Sequence, residues 1–453
     1  MKRTTLILAL LLFSSGLAYG QAGYLDKTFG DGGVVTTIPF DTAYIEPQDI
    51  HILPNGKILH AGLIWSEGTS LNVVGIYVTR HHPNGRIDSS FGKNGLTVFD
   101  FGGYDNSARL YCYPDGRMLV YGLAEAYRYN YLEAIPYIIR FLADGRVDST
   151  FGKNGTYFPQ GSEEIATYHT LKVDTDGAIF ALGTMPKKVS SKMIDYPIIT
   201  RITSLGKRDP SFGDNGIKIA GSKEDTGGVW DVVLYGKDKC IFSIPSLGSA
   251  NAPLKMICTD LNGMIDSSFG VNGRIAMQLS DGFESVHGIL IDPDEKVLCT
   301  AIVNTSSGEY RSILLRFLPT GELDNSFGEF GVSLTPIDVD KYRIVYCTAM
   351  DSNKNIIQLA LKKDVDSNYF SAVIHYLPNG QLDSSLGVNG ISNEVGKHMD
   401  GIYSATADPD GKFVLIGVRK GPGNIHSVVI CRLNNTGKVQ AVSAAKNFAL
   451  LMI

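Results

Sequence analysis

Short apolar runs alternate along the whole chain with tight clusters of Gly, Asn, Asp and Pro. The first complete cycle shows the grammar. Val34-Val35-Thr36-Thr37-Ile38 is a β-branched run that fits a pleated strand. Ile50 to Leu53 follows, then Pro54-Asn55-Gly56-Lys57, a tight turn in which Gly takes positive φ without a Cβ penalty. Ile58 to Leu63 runs back, Val73 to Arg80 runs out again, and His82-Pro83-Asn84-Gly85 turns the chain into the next cycle. The pattern predicts four short strands per cycle and no helix.

Each cycle opens on one phrase: an apolar residue, Asp, two variable or small residues, Phe-Gly, two variable residues and Gly. It first reads Leu25-Asp26-Lys27-Thr28-Phe29-Gly30-Asp31-Gly32-Gly33 and recurs with its Asp at Asp88, Asp148, Asp209, Asp266, Asp324 and Asp383. The spacings are 62, 60, 61, 57, 58 and 59 residues, the mark of one supersecondary unit repeated. Four-stranded units of this length, seven in number, predict an all-β fold: a single seven-bladed β-propeller with four antiparallel strands per blade. The repeats are expected at about 25–86, 87–146, 147–207, 208–264, 265–322, 323–381 and 382–440. The last strand, Val428 to Arg432, runs out where the phrase is missing, and the missing piece stands at Leu25 to Gly33. The two ends are therefore expected to complete one blade. Phe29, Phe91, Phe151, Phe212, Phe269, Phe327 and Leu386 are the expected wedges between blades. Gly62, Gly122, Gly183, Ala301, Ala360 and Gly417 share one register, where two backbones should approach closely.

These motifs, Leu-Asp-x-Ser-Phe-Gly-x-x-Gly joined to Pro-Asp-Gly-Lys and to an Arg five residues before a closing Gly, resemble the delta-60 repeat. That is a bacterial extracytoplasmic β-propeller repeat of unknown function. The resemblance spans Leu25 to Gln440 and weakens in the fourth copy, where Cys258 replaces the Arg, and in the seventh, which has Leu386 for Phe and His375 for Arg. It implies a fold and an export route, and no activity.

Composition changes the picture in three ways. Lys2 and Arg3 precede the apolar run Leu6 to Phe13, with Ala18 and Gly20 before Gln21, so residues 1–20 read as a secretory signal and residues 21–440 as the propeller. The product is expected to be extracytoplasmic, periplasmic or secreted, with no transmembrane segment; residues 441–453 form a tail of unassigned role. The 41 basic and 46 acidic side chains give a net charge of −5, which argues against nucleic acid as a partner. Six cysteines share no register, so they read as small buried residues, with Cys240 and Cys258 as the pair to test for a disulfide.

Candidate chemistry is sparse. The recurring Asp brings only one acid per copy, too few for calcium, and reads as a turn former. Arg80, Arg140, Arg201, Arg316 and Arg432 read as structural partners of nearby carboxylates or carbonyls. The nine His form no ligand spacing, His81-His82 reads as a solvated turn pair, and no nucleophile elbow or phosphate loop is present. No catalytic residue, metal or cofactor is expected. What varies between repeats is the loop set between the third and fourth strands of each cycle. Tyr127, Arg128, Tyr129 and Tyr131 are the candidate ligand-binding residues there, because Tyr and Arg dominate contact surfaces. Basic Pro186-Lys187-Lys188 to Lys192 and the acidic set Glu163-Glu164, Glu224-Asp225, Asp338 and Asp340 share that face. The expected function is an exported, non-catalytic binding or scaffolding propeller for a protein or a glycan. The alternative is an extracytoplasmic glycan hydrolase or lyase with its site at the channel mouth; a third is a structural envelope protein.

Overall fold

The computed structural model describes residues 24–37, 43–66, 72–100, 104–105, 107–128, 131–159, 166–244, 253–278, 282–304, 310–335, 342–363, 369–421 and 426–434. Seven antiparallel sheets stand around a common axis, each with four main strands in sequence order from inside to outside. The first blade runs Ala43–Ile52, Ile58–Ser66, Asn72–His81 and Leu96–Phe99. The second sheet carries a short extra strand, Tyr104–Asp105, that pairs with the second strand Met118–Arg128 in line with the inner strand Arg109–Cys112. The one helical turn among the described residues is Val395–Lys397.

Blade and repeat are out of phase by one strand. Each sheet takes three strands from one repeat and its outer strand from the next, so every Asp phrase links the third and outer strands of one blade. Ring closure follows from the same offset. Val34–Thr37 pairs antiparallel with His426–Leu433, Val34 opposite Cys431 and Thr37 opposite Val428, and completes the seventh blade. Asp26 ties the joint: its Oδ2 accepts from Arg432 Nε at 2.9 Å and from Lys412 Nζ at 2.6 Å. Burial pushes the Asp26 carboxyl up, but Lys412, Thr28 and Arg432 outweigh it and hold the pKa at about 2.

The recurring residues work as one clamp, seen well around Arg140. Its Nε donates to Asp148 Oδ2 at 2.8 Å and its Nη1 to the Ser204 carbonyl of the next blade's closing turn at 2.6 Å. The guanidinium lies 4.7 Å from the centre of the Phe151 ring, a cation–π contact. Asp148 Oδ1 accepts from Thr150 N and Oγ1, which makes the expected Asx turn. Arg80, Arg316 and Arg432 repeat the arrangement over Phe91, Phe327 and Phe29. The wedge residues are buried in all seven copies, and the closing-turn glycines Gly85, Gly145, Gly206 and Gly380 lie against the preceding Phe with no room for a Cβ. Hydrophobic clusters accordingly bridge blades, Phe29 packing with Ile58 and Tyr77 of the first and Val414 and Ile430 of the seventh.

Gly122, Gly183 and Gly417 confirm the crowded register. A Cβ there would strike the carbonyls of Ser107, Thr167 and Gly401 on the neighbouring inner strand. Inner strands of blades 1, 3, 5, 6 and 7 carry a β-bulge close to that contact.

Three expectations need correction. The segments around Tyr127 and Lys187 are not irregular loops. Arg128 pairs with Tyr131, and Val189 with Lys192, so both are tips of eleven-residue strands that run on as long hairpin ribbons. Backbone pairing carries both ladders beyond the shared core of the repeat. His81 is not a solvated turn residue; it ends a strand opposite Ile58 and is fully buried, with Nε2 3.3 Å from His60 Nε2 and Nδ1 2.9 Å from the Gly85 carbonyl. Asp225 is not a free surface acid, since Arg274 and Ser222 occupy it. All six cysteines are free, and Cys240 faces Thr259 while Cys258 faces Ile241, which puts the tested pair on opposite sheet faces. Residues 1–20, Tyr129, Glu163, Glu164, Asp338, Asp340 and 441–453 lie outside the described residues.

Candidate axial binding site

The inner strands meet around the axis. Five residues before the first position of each middle turn, one residue per blade occupies the same register on the inner strand: Asp49, Arg109, Thr170, Asp231, Gly288, Cys347 and Ser404. Pairing fixes the level. Asp49 lies opposite Ala61, Arg109 opposite Tyr121, Thr170 opposite Leu182, Asp231 opposite Ser243 and Gly288 opposite Thr300, each one residue before the crowded register. This is one ring of seven positions, and no residue but Asp appears in it twice.

Asp49 and Asp231 are anchored alike. Asp49 Oδ1 accepts from Ile50 N at 2.8 Å and Oδ2 from Leu110 N on the next blade at 2.9 Å. Asp231 Oδ1 accepts from Val232 N at 2.9 Å and Oδ2 from Ile289 N on the next blade at 2.8 Å. One backbone N–H per oxygen fixes each carboxylate and leaves further lone pairs toward the axis. Burial raises both carboxyl pKa values, against the pull of those N–H groups and of Arg109.

Arg109 stands between these acids. Burial works against its charge, but the Tyr121 hydroxyl and the Asp49 and Asp231 carboxylates outweigh it and hold the guanidinium above its ordinary range. It makes no hydrogen bond or ion pair with the described residues, and it is exposed although the protein surrounds it. An exposed Arg on the innermost strand means that the axis is a channel open to water. Gly288 widens it: a Cβ there would meet nothing within 4 Å. Burial lowers the pKa of His51, and burial with the Arg109 charge brings His169 to about 4, which favours the neutral form of both. Burial pushes the Cys347 thiol up to about 11. Toward the middle-turn face the channel opens into a cavity of about 410 Å³ lined by His51, Leu53, Cys112, Tyr113, Met350 and Ala407. Among the described residues, no three His, Cys, Asp or Glu stand as a metal site.

The residues expected to bind a ligand are not part of this ring. Tyr127, Arg128 and Tyr131 belong to the second blade's hairpin ribbon, whose strand ends run toward the face opposite the cavity. The ring itself carries no motif. Its signal in the sequence is the reverse of a motif, a register in which aligned repeats disagree.

Among protein families, residues 293–327 match a model described as "Domain of unknown function (DUF5122) beta-propeller". No curated protein matches the chain. Among solved structures, similar chains include a glucose dehydrogenase, with a TM-score of 0.38, 10% identity, and coverage of 88% of this chain and 99% of that one. The Bombyx mori GH32 beta-fructofuranosidase BmSUC1 gives a TM-score of 0.34, 9% identity, and coverage of 91% and 93%. The GH43_1 enzyme from Xanthomonas citri complexed with xylotriose gives 0.32, 7% identity, and coverage of 61% and 93%. At these TM-scores the likenesses carry no argument about activity.

Proposed function

We propose that this chain is an exported, non-catalytic binding propeller of the delta-60 repeat type, and that its ligand, a protein segment or a glycan, enters the axial channel. One observation carries the reading. The Asp and closing-Gly registers recur around the ring, whereas the axial one changes residue from blade to blade and holds an exposed Arg109 that makes no hydrogen bond with the described residues. Scaffold positions in a repeat protein are set by neighbour packing; a register that escapes repetition is free to serve recognition. The family match at 293–327 and the seven Asp phrases support the repeat assignment, and residues 1–20 support export. The ribbon residues Tyr127, Arg128 and Tyr131, with Tyr129 of the same sequence segment, become a secondary contact in this reading.

A second reading, a glycan hydrolase or lyase, draws on the raised carboxyl pKa values of Asp49 and Asp231. Binding is preferred because every carboxylate oxygen already accepts a backbone N–H, a pattern suited to fixing inner strands. Calorimetric titration and product analysis with the same glycan panel separate the two. Heat of binding without new reducing ends supports the binding module. Turnover lost in both Asp49→Asn and Asp231→Asn would make the protein an enzyme.

A further inference from the structure

We infer that the axial ring is built for an uncharged polyhydroxylated ligand, a neutral sugar residue, which rests on the axial site proposed above. Arg109 offers guanidinium N–H donors that the described residues leave unused. Asp49 and Asp231 offer acceptor lone pairs beyond the one N–H that each oxygen already holds. A group seated among them must accept from a guanidinium and donate to a carboxylate. A hydroxyl does both without carrying charge. Hydrogen bonds to an ionised partner are stronger than neutral ones, so a diol spanning Arg109 and either Asp gains on both sides.

Charge excludes the other classes. The ring holds one basic side chain, Arg109, against two acidic ones, Asp49 and Asp231, and burial disfavours the charged form of the neighbouring His51 and His169. A uronate or phosphate would face a net negative site. An ammonium group would meet Arg109 between the two acids. Room is provided by Gly288, next in the ring to Asp231, and by the cavity at the middle-turn face. Tyr113 on that rim offers an apolar ring beside the entrance.

The test is calorimetric titration of the full chain with matched oligosaccharides: neutral gluco-, xylo- and manno-oligomers, a galacturonate oligomer and a glucosamine oligomer. The neutral series should bind. Arg109→Met and Asp231→Asn should each weaken it at least tenfold, and Gly288→Phe should abolish it, all with unchanged circular dichroism. If the galacturonate or glucosamine oligomer binds instead and Gly288→Phe abolishes that binding, the ligand class is wrong while the axial site stands. If any oligomer binds as well to Gly288→Phe as to the parent, the axial site itself is wrong. If no oligomer binds, the sugar assignment is overturned.

Discussion

The clamp at the blade boundary and the ring at the axis use the same side chains, Arg and Asp, in opposite ways. At the boundary, Arg140 spends its guanidinium on Asp148, on a carbonyl of the next blade and on the Phe151 ring. At the axis, Arg109 has acids on two sides and engages none of them directly. The boundary arrangement recurs with small edits; the axial one occurs once. Residue type therefore says little here about role. What separates structure from recognition is whether the partners are satisfied and whether the register repeats.

The largest effect should come from breaking the clamp. Arg140→Met leaves Asp148 without its cation and a carbonyl without its donor, and should cost about 3–5 kcal/mol in urea unfolding. A loss below ~1 kcal/mol would show that the recurring pair is decorative.

The sixth blade offers a natural defect. His375 stands where five other copies have Arg; it is buried, and among the described residues its Nε2 has no partner and the Asp383 carboxylate keeps only Ser385. Burial lowers the His375 pKa to about 4, opposed by Asp383. Because the folded value lies below the unfolded one, this contribution is fully present above about pH 6.5 and is lost as pH falls through 4, on the order of 3 kcal/mol. His375→Arg should restore the clamp and remove that share of the acid loss, read from urea midpoints at pH 7 and pH 4.5. An unchanged pH dependence would exclude His375 as its source.

A smaller effect concerns one strained copy. The second variable position of the Asp phrase has positive φ in every blade and carries Gly or Asn in six, Gly32, Asn94, Asn154, Asn215, Asn272 and Asn389. Phe330 takes it in the seventh case, at φ 52° and 73% exposed. Phe330→Asn should stabilise by about 0.5–1 kcal/mol, since Asn tolerates that conformation far better. Destabilisation would mean that the Phe330 ring has a packing role on the surface.

Much of this was legible in the chain. The seven phrases gave the blades, Leu25 to Gly33 gave the closure, and Gly62, Gly122 and Gly183 gave the backbone crowding, because each obeys local sterics that recur with the repeat. The one-strand offset between repeat and blade is set by pairing between neighbouring repeats, which no single phrase records. Lys57, Lys296 and Lys412 reach the clamp Asp from the middle turn. That contact joins residues about 30 apart, from one repeat to the next, and at the joint nearly the whole chain. The ribbon tips at Tyr127 and Lys187 were misread because a strand that outgrows its sheet looks like a loop when only the shared core of the repeat is counted. Asp49, Arg109 and Asp231 were missed because convergence at an axis leaves no spacing rule in one dimension. Only the disagreement among aligned copies pointed there.

The most direct measurement is thermal unfolding of Arg109→Met beside Arg140→Met. The account predicts that Arg140→Met lowers Tm by several degrees, about 2–4 °C per kcal/mol lost, while Arg109→Met leaves Tm unchanged or raises it, since no described residue depends on Arg109 for a hydrogen bond. An Arg109→Met variant destabilised as much as Arg140→Met would show that the axial ring is scaffold, and the binding site would have to be sought elsewhere.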